Sequence, residues 1–280
     1  METIINYFAE MPTAHRSAVL IGGLTIFFLI ENAAPLFTNK YNKAKHTGLN
    51  IFFTLTTVLV NFLMAFILVN TSDWVVANNV GILQWLSAPN WVVLVAGMLM
   101  MDFLGAWLAH FTEHKVQWMW QFHVIHHTDQ HVDTTTANRH HPGESVIRFL
   151  FTTLAVLIVG APMWLVFLYQ STSAALSQFN HSNINMPKWL DSALLLVFCT
   201  PNMHRVHHHY RQPYSDTNYG NIFSFWDKML GTYEVVDNKK LVYGVDTYMD
   251  TKEASDLGNL LKIPFSGYRT PIDYDTEEEL

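Results

Sequence analysis

The 280-residue chain has one cysteine, Cys199, and few charged residues. A single cysteine excludes an internal disulfide, a CxxC zinc site and a four-cysteine iron–sulfur cluster. Charged residues make up only 14% of the chain, against about 25% in a typical soluble protein. The net charge of −7 leaves no basic excess, which argues against a nucleic-acid partner. We also expect no cleavable signal peptide, and the sequence has no flavin or nicotinamide fingerprint and no internal repeat.

The low share of charged residues is accompanied by long apolar runs, and half of the residues are hydrophobic. A membrane-spanning helix needs roughly 20 such residues, and runs 17–37, 51–69 and 91–109 each predict one span. A fourth run, 149–180, has no charged residue and is interrupted by Gly160-Ala161-Pro162, a helix-breaking sequence. It predicts a helical hairpin whose arms of about 15–17 residues, or ~22–26 Å, are short enough for a re-entrant segment.

The basic residues predict the orientation of these spans. The connection 38–50 contains Lys40, Lys43 and Lys45, whereas the connection 71–90 contains no lysine or arginine. The positive-inside rule then places the first connection in the cytoplasm and the N-terminus outside. After three crossings, the chain beyond residue 110 is predicted to lie on the cytoplasmic side.

The 15 histidines of the chain fall mostly into groups with helical spacing. One pair is spaced i, i+4, and two triplets are spaced i, i+3, i+4; they are His110 and His114, then His123, His126 and His127, then His204, His207 and His208. These offsets place side chains on one helix face, so we expect each triplet to present three imidazoles to one point. Neutral imidazole suits Zn, Cu, Fe and Ni. Eight aligned histidines exceed the roughly four to six ligands of one ion, so the count indicates two ions.

Three other interpretations of the histidines are weaker. A histidine-rich surface that binds metal adventitiously would not need helical spacing in three places beside a membrane. A proton relay uses ionisable groups at membrane depth, whereas these groups lie at the predicted ends of helices. The sequence His141-Pro142-Gly143 matches a haem loop of the cytochrome b5 type, but that motif belongs to a small soluble domain.

The order HxxxH, HxxHH, HxxHH over hydrophobic helices resembles the fatty acid hydroxylase/sterol desaturase superfamily of membrane di-iron enzymes. The stretches "TTANRHHPGE" (135–144) and "HRVHHHYRQPYSDTNYGNIFSFWDKMLGTYE" (204–234) support the resemblance. The second is similar to the alkylglycerol monooxygenase branch and its bacterial relatives. The resemblance covers roughly 95–235, and one departure is Phe111, where relatives often have arginine.

The resemblance implies ten metal ligands. They are His110, His114, His123, His126, His127, His141, His181, His204, His207 and His208. His140 is the alternative to His141, and His131 is a further alternative ligand. His131 and His209 otherwise suit supporting or surface positions, and we expect His15 and His46 at the surface. Carboxylates that balance the metal charge and orient imidazoles through their other N–H are predicted at Asp102, Asp129, Asp133, Glu144 and Asp216, with Glu113 as a further candidate.

The fold and function that follow are expectations. The fold is an all-α integral membrane protein, with about three transmembrane helices, a helical hairpin and a cytoplasmic histidine-rich cap that holds a dinuclear metal site. The resemblance implies domains at 1–94 (membrane helices), 95–235 (catalytic) and 236–280 (C-terminal cytoplasmic tail). The final acidic stretch, 273–280, should be solvated and disordered.

The resemblance implies O2-dependent oxidation of a lipid C–H bond by two iron ions, with zinc as a substitute in purified protein. Hydroxylation of a fatty acyl, alkyl ether or sterol-like lipid is favoured, and desaturation at the same site is the alternative. Electrons must come from a separate donor of the ferredoxin or cytochrome b5 type with its reductase. A non-enzymatic metal-handling protein is the alternative of another class, but a transporter places ionisable residues along a path at the midplane, where only Asp102 lies.

Overall fold

The computed structural model describes residues 1–38, 40–86 and 88–272, and the regular secondary structure in these ranges is helical. The all-α prediction is therefore confirmed for the described residues. The acidic stretch 273–280 lies outside them. In chain order the α-helices are α1 (Glu2–Ala9), α2 (Thr13–Ala33), α3 (Lys43–Ala77), α4 (Ile82–Trp85), α5 (Asn90–Asp102), α6 (Leu108–Lys115), α7 (Gln117–His127), α8 (Pro142–Val159), α9 (Met163–His181), α10 (Lys188–Leu194), α11 (Pro201–His207), α12 (Phe225–Leu230), α13 (Thr251–Ser255) and α14 (Leu257–Lys262).

Four helical stretches of the described chain are long and apolar enough to cross a membrane. They are Thr13–Ala33, Lys43–Trp85, Asn90–Lys115 and Pro142–Val159. The first three correspond to the three predicted spans, and the fourth is the first arm of the predicted hairpin. The prediction of a membrane-spanning helical protein is therefore confirmed, while the side of the membrane on which each connection lies stays a prediction.

Helix α3 is longer than the apolar run 51–69 that predicted it. It has 35 residues, which corresponds to about 52 Å. The polar side chains that follow the run form hydrogen bonds with carbonyl groups of the same helix. Asn70 donates a hydrogen bond to the Phe66 carbonyl at 2.6 Å, and Thr71 donates one to the Ile67 carbonyl at 2.8 Å. Because these side chains find partners within the helix, the polar stretch extends α3 instead of ending it.

The predicted hairpin is present, with its turn between α8 and α9. Gly160 caps α8 in the left-handed conformation (φ 72°), and Pro162 precedes α9. The arms have 18 and 19 residues, or about 27 and 28 Å, so they are longer than predicted because α8 begins directly after His141. Helix α8 packs mainly on α3, whereas α9 packs on α1 and α2.

A π-helical segment, Phe103–Trp107, joins α5 to α6 within the third span. Its apolar sequence fits an α-helix equally well, so the sequence did not predict it. A π segment inserts into an α-helix and changes the direction of the side chains that follow. This change separates Asp102, before the segment, from His110, after it.

Two apolar clusters hold the helices together. The larger one lies between α5, α8 and α9 and includes Met101, Val159 and Leu165. The smaller one joins α3, α7 and α14 through Phe53, Ile125 and Leu260. Helix α7, which carries the second histidine motif, is therefore packed on both a membrane-spanning helix and the C-terminal helices.

The turn of the hairpin leads to a test of stability. Gly160→Ala should lower the melting temperature in detergent, because an added Cβ would lie 2.6 Å from the Val80 carbonyl oxygen at a residue with φ +72°. The backbone conformation costs about 1–2 kcal/mol and the collision about 1–3 kcal/mol more. Gly231→Ala is the matched control, since its φ is +74° and nothing lies within 4 Å of its added Cβ. Equal losses in the two variants would contradict the tight contact.

Candidate metal centre

Five histidines form a first group of converging ligands. Their ligand atoms all lie within 4.8 Å of one another, and their side chains come from α6, α7 and α11: His110, His114, His123, His127 and His207. The Nε2 atoms of His123 and His127 are 3.1 Å apart. Three helices therefore meet at one point through their imidazoles.

Four other histidines form a second group under the same 4.8 Å limit: His126, His181, His204 and His208. The Nε2 atom of His181 lies 3.1 Å from that of His126 and 3.0 Å from that of His204. His181 is the last residue of α9. It reaches this group because the second arm of the hairpin returns the chain to the level at which α8 begins. The two groups adjoin, since the rings of His127 and His208 have centroids 4.9 Å apart.

The structure divides each triplet between the two groups, so the expectation that a triplet converges on one point is wrong. The i, i+4 partners stay together, as in His123 with His127 and His204 with His208, while the i+3 residue joins the other group. On an α-helix, residues at i and i+4 differ by about 40° around the axis, whereas those at i+3 and i+4 differ by about 100°. One helix can therefore supply two adjacent sites.

Ring nitrogens on the far side of several imidazoles are held by acceptors. The Nδ1–H groups of His110, His181 and His207 donate to the carbonyls of Tyr219, Ser177 and Thr217, at 2.9, 2.7 and 2.7 Å. A proton on Nδ1 leaves the lone pair of Nε2 directed into the group. This is the tautomer that a metal ion requires.

Several ring nitrogens of the two groups are buried and have no hydrogen-bond partner among the described residues. This holds for Nε2 of His110, His114 and His207 and for both ring nitrogens of His208. Unpaired buried polar atoms are costly, and a metal ion in each group would satisfy them. The Nε2 separations of 3.0–3.1 Å match the about 3.0–3.4 Å between ligands that bind one ion at about 2.1 Å. The residues thus fit two imidazole-preferring metal ions.

Burial also fixes the charge of these histidines. It lowers the pKa values of six of them far below the usual range, since the charged form loses its hydration, and neighbouring imidazoles lower them further: His123, His126, His127, His204, His207 and His208. Neutral imidazole is the form that binds metal, so these residues are ready to act as ligands at neutral pH.

Glu144 lies on the side of the imidazoles that faces away from the metal-ligand nitrogens. Its Oε1 atom accepts hydrogen bonds from Nδ1 of His123 and Nδ1 of His140, each at 2.7 Å, and from Nε of Arg148 at 3.0 Å. His123 belongs to the first group, while the ring of His140 stacks on His126 of the second, with centroids 4.8 Å apart. A single carboxylate therefore orients one imidazole of the first group and another that packs against the second.

Arg148 is a residue of this centre that the sequence did not predict. It lies in the fourth span, where its Nη2 contacts Glu113 Oε2 at 2.7 Å while its Nε contacts Glu144. A charge in a membrane-spanning helix is costly unless it is paired, and here one guanidinium pairs with two buried carboxylates. The signal that could have identified it is its position, since it is an arginine directly before the uncharged run 149–180.

Two further predicted carboxylates, Glu113 and Asp216, lie near histidines of the first group, and Glu113 Oε2 is 3.8 Å from Nδ1 of His123. Asp216 has the wider set of partners. Its Oδ1 lies 3.7 Å from Nδ1 of His114 and accepts a hydrogen bond from the Tyr219 hydroxyl at 2.5 Å, and Lys115 also contacts it. Burial alone would raise the pKa of Asp216, but these partners lower it overall. The ionised carboxylate therefore lies beside the first group.

Asp129 and Asp133, which we predicted to orient the ligands, instead contact His46. The Nε2 atom of His46 lies 2.8 Å from Asp129 Oδ1, and its Nδ1 lies 3.4 Å from Asp133 Oδ2. The prediction that His46 lies at the surface is wrong, because only 10% of its side chain is exposed. Polar side chains such as Asn50 complete this network next to the metal-binding groups.

Asp102 contacts none of the histidines. Its carboxylate accepts hydrogen bonds from the backbone N–H groups of Ile222 and Phe223, each at 3.2 Å, and from Trp226 Nε1 at 3.0 Å. The loop that it holds follows Tyr219, whose carbonyl orients His110. The influence of Asp102 on the centre therefore passes through a loop and not through an imidazole.

His141 lies outside both groups, although the resemblance included it among the ligands. Its Nδ1 accepts a hydrogen bond from the Gly143 N–H at 3.0 Å and caps α8, and its ring packs near Phe122. His140 is the nearer residue, through its contacts with His126 and Glu144. His131 stacks on Tyr41, His209 packs on Tyr214, and exposed His15 contacts Tyr7.

The fold and these groups define a helical membrane protein with two adjoining histidine groups, each of which could hold a metal ion. Residues 94–232 match the family described as fatty acid hydroxylase. This segment therefore belongs to the fatty acid hydroxylase family, as the histidine motifs predicted.

Three relatives show the range of the family around this chain. It is 28% identical over 150 residues to ornithine lipid hydroxylase OlsE of Rhizobium tropici, covering 54% of this chain and 43% of that protein. It is 29% identical over 178 residues to alkylglycerol monooxygenase of Homo sapiens, covering 61% and 36%. It is 30% identical over 152 residues to cholesterol 25-hydroxylase-like protein 1, member 2, of Danio rerio, covering 52% and 53%. The chain thus spans about half or less of these relatives, and no solved structure matches it.

The lowered histidine pKa values predict how the metal-free protein responds to acid. A histidine has a pKa near 6.5 when unfolded, so the unfolded state binds more protons than the folded state below that pH. The stability of the folded state is therefore complete above about pH 6.5 and is lost as the pH falls below it. Between pH 7.5 and 5.5 the melting temperature in detergent should fall by at least about 5 °C.

The control for this measurement is His15→Gln, because His15 is exposed and lies outside both groups. Its melting curve should shift with pH as that of the unmodified chain does. A melting temperature that is constant or rises as the pH falls from 7.5 to 5.5 would show that the buried histidines are not neutral.

Proposed function

We propose that this protein is a membrane-bound di-iron oxidoreductase that uses O2 to hydroxylate a C–H bond of a lipid. The observation that carries the proposal is the pair of adjoining groups of buried histidines at the end of apolar helices. Iron bound there would supply an oxidant for an unactivated C–H bond, which side-chain acids and nucleophiles cannot attack. The family membership and the names of the relatives, which are lipid hydroxylases and monooxygenases, support it.

Nine histidines hold the two ions in this proposal. Five belong to the first group and four to the second: His110, His114, His123, His127 and His207, then His126, His181, His204 and His208. His140 replaces His141 as the additional candidate, because it lies against His126 and its Nδ1 is held by Glu144. His141 is occupied in capping α8.

The residues around the two groups keep the imidazoles uncharged, fix their orientation and shield them from water. The carbonyls of Ser177, Thr217 and Tyr219 hold Nδ1 protons, so that Nε2 lone pairs stay directed inward. Trp120 packs against His114 and His127, with ring centroids 4.8 and 5.3 Å apart. These contacts exclude water from the first group and leave each imidazole one position in which to bind.

The substrate class follows from the surroundings of the centre and from the relatives. The groups lie at the ends of membrane-spanning helices, so a lipid with its chain between helices and its head group at the boundary can reach them. We propose a fatty acyl, alkyl ether or sterol-like lipid. The sequence has no flavin or nicotinamide fingerprint, so we also propose a separate electron donor of the ferredoxin or cytochrome b5 type with its reductase.

Removing one ligand from each group tests the centre. In a reconstituted assay with reductase, donor, NADPH and 18O2, His126→Ala or His207→Ala should lower lipid turnover below detection, because the remaining imidazoles cannot restore the coordination. His15→Ala is the control and should retain full turnover. Metal content by mass spectrometry should fall in both ligand variants, and zinc in place of iron would not count against the site.

The outcome of the same assay separates the alternatives. Labelled oxygen in a product alcohol supports hydroxylation, whereas an alkene without label supports desaturation at the same site. Full turnover in both ligand variants despite lost metal would overturn the di-iron proposal. Metal binding by the unmodified chain without any lipid turnover would favour a non-enzymatic metal-handling protein.

We also propose that the metal centre lies on the cytoplasmic side, which the basic connection 38–50 supports. Single cysteines at exposed positions test this with a membrane-impermeant maleimide on intact cells. Asn78→Cys should be labelled from outside, while Lys45→Cys and Lys240→Cys should be labelled only after the cells are opened. Labelling of Lys45→Cys and Lys240→Cys from opposite sides would contradict this topology.

A further inference from the structure

A group of large apolar side chains is exposed on the part of the chain that follows the spans. Trp189, Leu196 and Met229 are 73%, 74% and 71% exposed. With the exposed side chains beside them they form what we call the apolar patch: Trp189, Leu196, Val197, Phe198, Met229 and Leu230. A contiguous exposed surface of this kind marks contact with a partner or a membrane.

Two separate segments build the patch and are joined as one unit. The Cys199 N–H donates to the Ile222 carbonyl and the Ser224 N–H donates to the Val197 carbonyl, both at 3.0 Å. Lys228 Nζ donates to the Leu195 carbonyl at 2.7 Å. The segment after α10 therefore cannot move independently of α12, and the position of one fixes the position of the other.

The contacts with Asp102 set the depth of this unit. Asp102 lies within the third span and accepts hydrogen bonds from the loop that leads into α12 and from Trp226 Nε1 of α12, the latter at 3.0 Å. The ring of Phe103 also packs on Trp226, with centroids 4.9 Å apart. Asp102 precedes His110 by eight residues, or about 12 Å along a helix, so the loop meets the span well away from the metal-bearing end.

The length of the span places this contact inside the bilayer. A crossing needs about 20 residues, and counting from Asn90, the first residue of the span, reaches His110. Asp102 therefore lies within the apolar zone and not beyond it. A unit held at Asp102 has its outer face at the depth of lipid chains.

We propose that the apolar patch is inserted in the membrane leaflet on the metal side, with its side chains among lipid acyl chains. Lys188 and Lys228, which flank the patch and are exposed, suit the phosphates of the same leaflet. Trp189 matches the aromatic residues that are enriched at the membrane–water boundary. The proposal concerns how the protein sits in the bilayer and does not depend on the reaction.

Spin labels on the full chain in phospholipid nanodiscs test this insertion. Single nitroxides at Leu196→Cys and Met229→Cys should collide with O2 several-fold more readily than with a water-soluble nickel chelate, since O2 concentrates in lipid. Phe62→Cys, 75% exposed in the second span, is the lipid reference. Lys240→Cys, exposed and outside the patch, is the aqueous reference.

The unmodified chain serves as the labelling blank, because its one cysteine, Cys199, is buried. Ratios at both patch positions that match the Phe62→Cys reference support the insertion. A ratio at either position that matches the Lys240→Cys reference overturns it. Trp189→Cys provides a third position if one of the two variants does not fold, and lipid turnover does not enter any of these outcomes.

Discussion

The arrangement of this protein depends on one constraint, the pairing of both nitrogens of a buried imidazole. Nine such rings lie together out of water, where protonation is costly and an unpaired nitrogen is costly too. Each ring is best satisfied by one hydrogen-bond acceptor behind it and one metal ion in front. Four of the nine rings have such an acceptor, supplied by the carbonyls of Ser177, Thr217 and Tyr219 and by the carboxylate of Glu144. The helices and the loop that contain these groups therefore have to be held rigidly.

Two of the buried carboxylates serve that rigidity and not the imidazoles directly. Asp227 accepts hydrogen bonds from the backbone N–H groups of Tyr219 and Gly220, at 2.9 and 2.8 Å, and from Trp107 Nε1 at 3.1 Å. Asp102 does the same for the loop a few residues on. Both fix a backbone whose carbonyl orients His110. A carboxylate far from any ligand can therefore still decide where a ligand points.

The histidines could be predicted because their spacing is a local pattern. Their partners could not be predicted, because those residues lie far away along the chain. The i, i+4 pairs and the apolar runs are local patterns, so the sequence alone predicted the clustered histidines, the spans and the hairpin. The sharing of each triplet between two groups depends on how α7 and α11 face each other, which spacing does not contain. Asp102 was expected to orient an imidazole, because the π-helical turn that separates it from His110 leaves no mark in an apolar sequence. Its partners lie about 120 residues away.

The separation of the ligands along the chain also has a consequence for biosynthesis. His110 and His127 are made early, whereas His204 and the residues that complete both groups follow about 77 residues after His127. At about 5–20 residues per second, the first imidazoles wait for roughly 4–15 s in the membrane before their partners exist. Neither group is complete during that interval, because His207 is missing from the first group and His181, His204 and His208 from the second. In the proposed di-iron enzyme the full ligand sets would therefore form only after translation of the last histidine triplet, and the iron available to the finished chain would set how much of it becomes active.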